Sequence, residues 1–371
     1  MMKRTLSLLL TAALLLVTTC ACGGRGSNSS QSAAPAQSAA AASSAPAQTE
    51  PEKLDLTLAF TGDINLDDDW YVMQYLKNSA GGKLSACIDP VLLEKMNQAD
   101  LCCINNEFAI SDRGEKLAGK AYTFRAKPQN ISYLKEMGAD LVTLANNHIY
   151  DYGKDAFNDT LDNLSKAGID YVGAGHNKTE AMKPLVYDLN GLKVAYVNAT
   201  RAELTLYTPD AGEDSPGVLS CYDPAQFKEV IAQAKQQADL VVCCVHWGIE
   251  YSYELEQVQK DTARAYIDAG ADVIVGTHSH CLQGIEYYKG APIFYNLGNF
   301  WFNEKDLLTC LLELHVTGTK EDWKLDATIV PAHQAGCVTK YLTDGSSVYN
   351  LLESISVNAG IKPDGTVYEK K

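Results

Sequence analysis

Apolar runs and helical periods alternate along the chain from Leu54 to about His333. The first apolar run is Leu54 to Thr61, and four later segments share one plan: a helix end, a short turn at Ala-Asp, and an apolar strand. These segments are Gln98–Glu107, Gly138–His148, Gln237–His246 and Gly270–His278. Near-continuous apolar strands are typical of sheets covered on both faces, and strands that alternate with helices indicate an α/β fold.

Local signals add further elements to this pattern. Asp89-Pro90 predicts a helix start, with an N-cap Asp and Pro at the first helical position. Asn190-Gly191 predicts a hairpin between two apolar runs, and residues 308–316 and 323–330 predict later antiparallel strands. We therefore expect two mixed sheets face to face with helices outside. The pattern fades after His333, so residues 338–371 are expected to form a weakly structured tail or short extension.

Residues able to bind metal or transfer protons stand where the predicted strands end. Ligands of open α/β sheets bind just beyond the carboxyl ends of strands, so these side chains are expected to meet. A single histidine in such a place is more often a satisfied structural residue, but several at strand ends favour a site. The residues are Asp63, Glu107, Asn147 with His148, His246, and His278 with His280.

The first fifty residues have a different composition. Lys3 and Arg4 precede an apolar run too short for a stable membrane span, which predicts a signal peptide, and Cys20 and Cys22 follow it. Cys22, between Ala21 and Gly23, is the favoured lipidation site, so residues 1–22 are interpreted as a lipoprotein signal peptide. The alternative is a cleaved signal with two incidental cysteines. Residues 23–52 are rich in Ser, Ala and Gln and predict a disordered tether.

Charge and cysteine usage narrow the function further. The formal net charge of −15 argues against a nucleic-acid partner. The nine cysteines after Cys22 lie largely in apolar strands without CxxC spacing, which favours small buried hydrophobic residues, although one or two disulfides remain possible. The chain lacks a Walker-type phosphate loop and a Gly-x-Ser-x-Gly elbow, which argues against direct ATP use and a serine hydrolase.

Six short motifs together resemble one known family. In this order the set resembles the CapA family of poly-γ-glutamate capsule proteins, which is similar to calcineurin-like metallophosphoesterases. The resemblance implies an α/β four-layer α-β-β-α sandwich of metallophosphoesterase type, with two mixed sheets flanked by helices, over residues 53–335, and leaves 336–371 as a C-terminal extension. The motifs are Gly62-Asp-Ile-Asn65, Asn106-Glu107, Leu144–Gly153, His246–Tyr251, Gly276–Gln283 and Tyr295–Phe302.

The resemblance also implies a role for each position. Asp63 and His280 would bind a first metal, Glu107 would bridge, and Asn147, His246 and His278 would bind a second; one or two ions of Zn, Mn or Fe suit these donors. Asn65 would be a further, weaker ligand of the first metal, at the position where the phosphoesterases have a histidine, and Glu107 stands where they usually have Asp. The first metal site is therefore expected to be weak, transient or absent.

Residues outside the ligand set also receive expected roles. His148 would donate a proton to the leaving oxygen and Asp151 would orient it, although Asp151 is equally typical of a helix cap or turn. Arg125 would hold an anion, or form a structural ion pair. Trp247 and Tyr251 would line a cleft, or simply pack.

The function expected from the resemblance is that of a CapA-type lipoprotein. It would be exported, held by its lipid on the outer face of the cytoplasmic membrane, and would act in poly-γ-glutamate capsule or other envelope-polymer biosynthesis with a metal-dependent hydrolase-like site. The alternative is a non-catalytic accessory protein that binds or exports the polymer. Expected partners are an anionic envelope polymer such as poly-γ-glutamate and membrane polymer-synthesis proteins.

Overall fold

A computed structural model describes residues 53–203 and 207–371. The predicted signal peptide, Cys22 and the tether lie outside these ranges. The strands are β1 (Lys53–Ile64), β2 (Leu101–Asn106), β3 (Ala109–Ile110), β4 (Arg125–Ala126), β5 (Leu141–Thr143), β6 (Asp170–Val172), β7 (Ala174–Gly175), β8 (Leu185–Leu189), β9 (Leu192–Thr200), β10 (Gly217–Val218), β11 (Leu240–Trp247), β12 (Val273–His278), β13 (Leu282–Tyr288), β14 (Ala291–Leu297), β15 (Asn299–Trp301), β16 (Leu307–Thr319), β17 (Trp323–Ala335), β18 (Val338–Tyr341), β19 (Ala359–Ile361) and β20 (Val367–Glu369). The α-helices are α1 (Tyr71–Asn78), α2 (Pro90–Gln98), α3 (Ile131–Glu136), α4 (Gly153–Ala167), α5 (Lys178–Ala181), α6 (Pro224–Lys235), α7 (Gln257–Asp268) and α8 (Ser346–Ile355).

Two large mixed sheets carry the fold. The first has the order β18-β17-β16-β1-β2-β5-β6, with β15 also paired to β1, and the second has the order β13-β14-β12-β11-β9-β8. In the first sheet β1, β2, β5 and β6 run parallel, and in the second β9, β11, β12 and β14 run parallel. The carboxyl ends of each parallel set therefore lie at one edge of its sheet.

The two sheets pack face to face with helices on their outer faces. Phe60 of β1 and Tyr196 of β9 meet in the core between the sheets, with ring centroids 6.0 Å apart. Residues on the other face of the first sheet pack against α1, α2, α3 and α4, and those on the other face of the second pack against α6 and α7. The expected four-layer sandwich of two mixed sheets flanked by helices is confirmed.

Several local predictions are also confirmed. The Asp89 side chain accepts a hydrogen bond from the backbone N–H of Val91 at the start of α2. Asn190 and Gly191 have φ of 53° and 84° and join antiparallel β8 and β9, as a type I′ turn requires. The long strands β16 and β17 are antiparallel.

The expectation of a weakly structured tail after residue 338 is wrong. Strand β18 extends the first sheet, and α8 packs on β13. Val348 and Leu352, one turn apart on α8, are buried in the core between the sheets, as is Val367 of β20. Each of these elements is short, so hydrophobic periodicity gives little signal for them before the rest of the fold is in place.

The nine described cysteines are free and buried, as expected for small hydrophobic residues. Within the described ranges, no helix combines the length and apolar character needed to cross a membrane.

Candidate metal centre

Strand ends of both sheets meet around one buried carboxylate, that of Glu107. The first sheet supplies Asp63 at the end of β1 and Glu107 directly after β2. The second supplies His246 at the end of β11 and His278 as the last residue of β12. All four residues are at most 5% exposed. Two parallel edges of facing sheets therefore build one centre.

Glu107 Oε1 lies among three imidazole nitrogens. The Nε2 atoms of His246, His280 and His148 are 3.8, 3.8 and 4.0 Å from it. These distances are too long for hydrogen bonds, and Oε1 is buried with no hydrogen-bond partner among the described residues. A buried, unpaired carboxylate oxygen facing several imidazoles is the arrangement expected around a cation.

The ligand atoms form two groups that share Glu107. One group comprises Glu107, His246 and His278, and the other comprises Asp63, Glu107 and His280; within each, the ligand atoms lie within 4.8 Å of one another. His278 Nδ1 also has no partner in the described part of the chain. Imidazole nitrogen and carboxylate oxygen suit Zn²⁺, Mn²⁺ or Fe, so the residues present fit one or two divalent ions.

Burial and charge set the protonation of these groups. Burial, together with the negative charge of Asp63, raises the pKa of Glu107 well above its usual 4.5. Burial and the neighbouring histidines lower the pKa of His246 well below 6.5 and that of His278 to about 3. Burial opposes ionisation of Asp63, but the hydrogen bond and charge of His280 leave its pKa lowered. The neutral imidazoles can bind a metal ion directly, whereas Glu107 would release its proton when an ion binds.

Hydrogen bonds hold Asp63 in place. Asp63 Oδ1 accepts from Asn105 Nδ2 at 2.8 Å and from the backbone N–H of His278 at 3.1 Å, and Oδ2 lies 3.0 Å from His280 Nδ1. Asn105 also donates to Glu107 Oε2 at 3.3 Å and accepts from Thr143 Oγ1 at 2.9 Å. Sequence reasoning missed Asn105, although it directly precedes the Asn106-Glu107 motif.

The two asparagines of the predicted ligand set differ in placement. Asn147 Oδ1 lies 2.9 Å from His246 Nε2, so both atoms face the centre. The oxygen of Asn65 instead accepts a hydrogen bond from the backbone N–H of Asp67 at 2.8 Å. The structure therefore brings Asn147, and not the oxygen of Asn65, to the ligand atoms. Thr277 Oγ1 lies 3.0 Å from His246 Nδ1 and fixes the orientation of that ring.

His148 is oriented by a buried network. Its Nδ1 lies 2.7 Å from Asp151 Oδ2, which leaves Nε2 facing Glu107. Asp151 also accepts from the backbone N–H of Phe124 and from Lys120 Nζ, each at 2.7 Å. The Asp151 side chain therefore binds His148, Phe124 and Lys120, and Asp151 is not the N-cap of α4.

Lys120 is the functional-site residue with the least sequence signal. Its side chain is 2% exposed and forms ion pairs with Asp151 at 2.7 Å and Glu203 at 3.1 Å. It also donates to the backbone carbonyl of Asn147. Lys120 therefore fixes the residues on either side of His148, and it lies in an irregular loop where no period or motif predicts it.

Arg125 does not join this group. Its Nη1 donates to the carbonyls of Arg113 and Gly114 at 2.9 and 3.0 Å, and its guanidinium lies 4.1 Å from the centroid of the Tyr152 ring. These contacts give the Arg125 guanidinium structural partners outside the metal centre. They favour the structural role that the sequence left open, with backbone carbonyls in place of a carboxylate.

The two aromatic residues of the His246 motif have different roles. Trp247 is fully buried, donates to the carbonyl of Tyr295 at 3.0 Å and packs in the core. Tyr251 is 37% exposed and lies beside His280, with ring centroids 5.6 Å apart.

Asn299, paired in register with Asp63, is buried, and neither side-chain polar atom has a partner among the described residues.

The close approach of β1 and β15 positions Asp63. A Cβ added at Gly62 would lie 1.8 Å from the carbonyl oxygen of Gly298. Asp63 donates its backbone N–H to that same oxygen at 2.9 Å. Only glycine at position 62 allows the two chains to meet here, and the contact sets where the Asp63 carboxylate lies.

We expect Gly62→Ala to separate these strands. The overpacked contact should lower the free energy of unfolding by about 1–3 kcal/mol and weaken metal binding through Asp63. Urea denaturation and metal titration would measure both effects. Gly81→Ala is the control, because φ is +61° there but no atom lies within 4 Å of the added Cβ. Equal metal affinity in the two variants would contradict this role for Gly62.

The buried histidines predict acid sensitivity of the metal-free protein. Below about pH 6.5 the unfolded chain protonates His246 and His278, whereas the folded chain, with both pKa values lowered, does not. Glu107 acts in the opposite sense above pH 4.5, because the folded protein retains its proton. The two histidines together outweigh Glu107, so the free energy of unfolding should fall on acidification from pH 6.5 to 5.

Urea denaturation of chelator-treated protein across this range measures the slope. The double variant His246→Asn, His278→Asn lacks the two groups that bind protons only in the unfolded chain. The slope of the free energy of unfolding against pH should then change sign, because Glu107 alone remains. A slope that is the same in the wild-type protein and the double variant would refute the assignment.

Residues 57–304, more than half of the chain, match the bacterial capsule synthesis protein family PGA_cap. The chain belongs to this family. It is 33% identical over 287 residues to the PGA biosynthesis protein CapA of Bacillus subtilis, covering 76% of this chain and 72% of that protein.

Two further relatives match over a smaller share of their length. The capsule biosynthesis protein CapA of Bacillus anthracis is 35% identical, over 67% of this chain and 58% of that protein. A probable polyglutamine synthesis accessory protein of Mycobacterium tuberculosis is 34% identical, over 54% of this chain and 55% of that protein. The match thus spans little more than half the length of these two relatives.

One solved structure shows a distant likeness. The NAD nucleotidase of Haemophilus influenzae aligns with a TM-score of 0.41 and 14% identity, covering 82% of this chain and 57% of that chain. A likeness this remote carries no argument about the site.

Proposed function

We propose that this PGA_cap family member is a CapA-type lipoprotein with a metal-dependent hydrolase-like site, acting in poly-γ-glutamate capsule or other envelope-polymer biosynthesis. The single observation that carries the site is Glu107 Oε1, buried and unpaired among three imidazoles. The process is supported by the family match and by the relatives named for PGA and capsule biosynthesis.

The ligand groups assign the residues that would hold the ions. Asp63 and His280 would bind one ion, His246, His278 and Asn147 a second, and Glu107 would bridge the two. When bound, such ions supply Lewis-acid polarisation of an ester or amide and stabilise developing negative charge.

His148 would supply the proton for the leaving group. Asp151 Oδ2 accepts the hydrogen bond of the Nδ1–H group, so Nε2 faces the centre and the cleft beside it, and the protonated imidazole would donate its Nε2 proton to the leaving oxygen. Lys120 contacts Asp151 and the carbonyl of Asn147, so it fixes the positions of His148 and of the proposed metal ligand Asn147. Lys120 is therefore a positioning residue.

One observation favours a second candidate, a non-catalytic accessory protein that binds or guides the polymer. Asn65, at the position where phosphoesterases are expected to have a histidine ligand, turns its oxygen to the backbone of Asp67. The site of Asp63 and His280 then has fewer donors than its neighbour. A relative described as a probable accessory protein supports the same alternative.

The proposed location is the outer face of the cytoplasmic membrane. A lipid on Cys22 would anchor the protein there, and residues 23–52 would let the folded part reach an envelope polymer. Membrane polymer-synthesis proteins would be its partners.

Purified protein would distinguish catalyst from accessory protein. Bound metal is measured, and phosphodiester and γ-glutamyl substrates are screened with wild type, Asp63→Ala and His278→Ala. The proposal predicts bound metal and turnover that both variants lose. Metal and polymer binding without turnover would favour the accessory role, and absence of bound metal would refute the site.

A further inference from the structure

An aromatic cleft of about 190 Å³ borders His148 and His280 at the metal centre. Its aromatic walls are formed by Trp70, Tyr71, Tyr122, Phe124, Tyr251 and Phe302. Phe124 and Phe302 contact each other edge to face, with centroids 5.6 Å apart, and each lies 4.4 Å from one of the two histidines. The cleft is therefore continuous with the proposed reacting groups.

The outer walls of the cleft remain accessible. Tyr71, Tyr122 and Tyr251 are 49%, 61% and 37% exposed, whereas Phe124 and Phe302 are each 3% exposed. Aromatic rings that cluster in a concavity next to polar groups are typical of a ligand site. The cleft thus offers apolar faces to whatever approaches His148.

One cation is held at this cleft without an acidic partner. Lys305 Nζ lies 3.3 Å from the centroid of the Tyr251 ring, and no ion pair joins it to a carboxylate in the described part of the chain. Asn303 fixes this arrangement: its Oδ1 accepts from the backbone N–H of Lys305 at 3.1 Å, and its Nδ2 donates to the Tyr251 hydroxyl at 3.3 Å. An ammonium group held over an aromatic ring can form an ion pair with an anionic group of a ligand.

We propose that the aromatic cleft binds the terminal residue of an acidic, γ-glutamyl-type chain, with its carboxylate on Lys305. The methylene groups of that residue would lie against Tyr251 and Phe302, and the bond that joins it to the chain would lie near His148. This inference rests on the proposed function, because it takes the polymer class from it.

The size and charge of the cleft favour a chain end over the middle of a polymer. Its volume is below the roughly 300–1,000 Å³ of sites for drug-sized ligands, so it suits one residue-sized group. Glu250 and Glu304 also line it, and two carboxylates would repel a long polyanion passing through. A direct ion pair with Lys305 would hold one carboxylate despite this repulsion.

Calorimetric titration of metal-loaded protein tests the inference. The probes are a γ-linked glutamyl dipeptide and long poly-γ-glutamate, with concentrations expressed per chain end. Lys305→Met and Tyr251→Ala should each weaken dipeptide binding about 10–100-fold. The controls are Lys320→Met, on the exposed β16–β17 turn, and Tyr253→Ala, 41% exposed but outside the cleft. Both should bind as wild type does.

The outcomes separate this inference from the proposed function. Equal affinity for the dipeptide and for polymer ends supports the subsite. Unchanged binding by Lys305→Met, affinity that rises with chain length, or equal binding of a neutral oligosaccharide would overturn it, even if metal-dependent turnover is found. Dipeptide binding through Lys305 without metal-dependent turnover would support the subsite and reject the catalytic part of the proposed function.

Discussion

Glu107→Gln should abolish the shared metal ligand and at the same time stabilise the metal-free protein. Glu107 belongs to both ligand groups, and an amide of the same size cannot replace a bridging carboxylate. We expect the affinity for Mn²⁺ or Zn²⁺ to fall by about 100-fold or more, since even an outer partner of a ligand costs about 10–100-fold. Competition with a chelator would measure it.

The expected gain in stability of the metal-free Glu107→Gln variant comes from the burial of this side chain. Glu107 is fully buried and its pKa is raised because ionisation there is unfavourable. A neutral amide avoids that cost, so we expect the free energy of unfolding without metal to rise by about 0.5–2 kcal/mol near neutral pH. Glu136→Gln, on an exposed position of α3, should change neither quantity. Retained metal affinity in Glu107→Gln would show that Glu107 is not a ligand.

Lys120→Met should cause the largest loss of stability among substitutions of charged residues at the site. The lysine side chain is 2% exposed and pairs with Asp151, which is fully buried, and with Glu203. Removal of one partner of a buried ion pair leaves an uncompensated charge and costs about 3–5 kcal/mol. Urea denaturation of chelator-treated protein gives the change directly.

Lys116→Met is the matched control for this prediction. Lys116 lies on the same loop but is exposed, so its substitution should change the free energy of unfolding by less than about 0.5 kcal/mol. If the two variants unfold at the same urea concentration, the ion pairs of Lys120 do not stabilise the site.

The sequence predicts the parts of the fold that depend on short-range chemistry. The hairpin at Asn190-Gly191 follows from residues that tolerate positive φ, and the start of α2 follows from Asp89-Pro90. The grouping of Asp63 with Glu107, and of His246 with His278, follows from a general property of parallel strands, whose carboxyl ends share an edge of one sheet. The meeting of the two groups depends in addition on how the two sheets pack.

Other features depend on contacts that no local pattern contains. Lys120 reaches the centre from an irregular loop, and its burial depends on Asp151 and Glu203, which are distant in sequence. Arg125 has the side chain of an anion-binding residue, but its Nη1 donates to the carbonyls of Arg113 and Gly114. Residue type indicates the chemistry that is possible, and the surrounding chain decides which partner is present.

Anomalous diffraction from crystals of the Mn²⁺-soaked protein would show directly whether Glu107 lies at the middle of a metal centre. We expect two peaks about 3.5–4 Å apart, with Glu107 between them, Asp63 and His280 at one, and His246 and His278 at the other. A single peak bound by His246, His278 and Glu107 would retain the stronger half of the centre and reject the two-metal assignment. The absence of any peak within ligand distance of Glu107 would show that these residues do not form a metal centre.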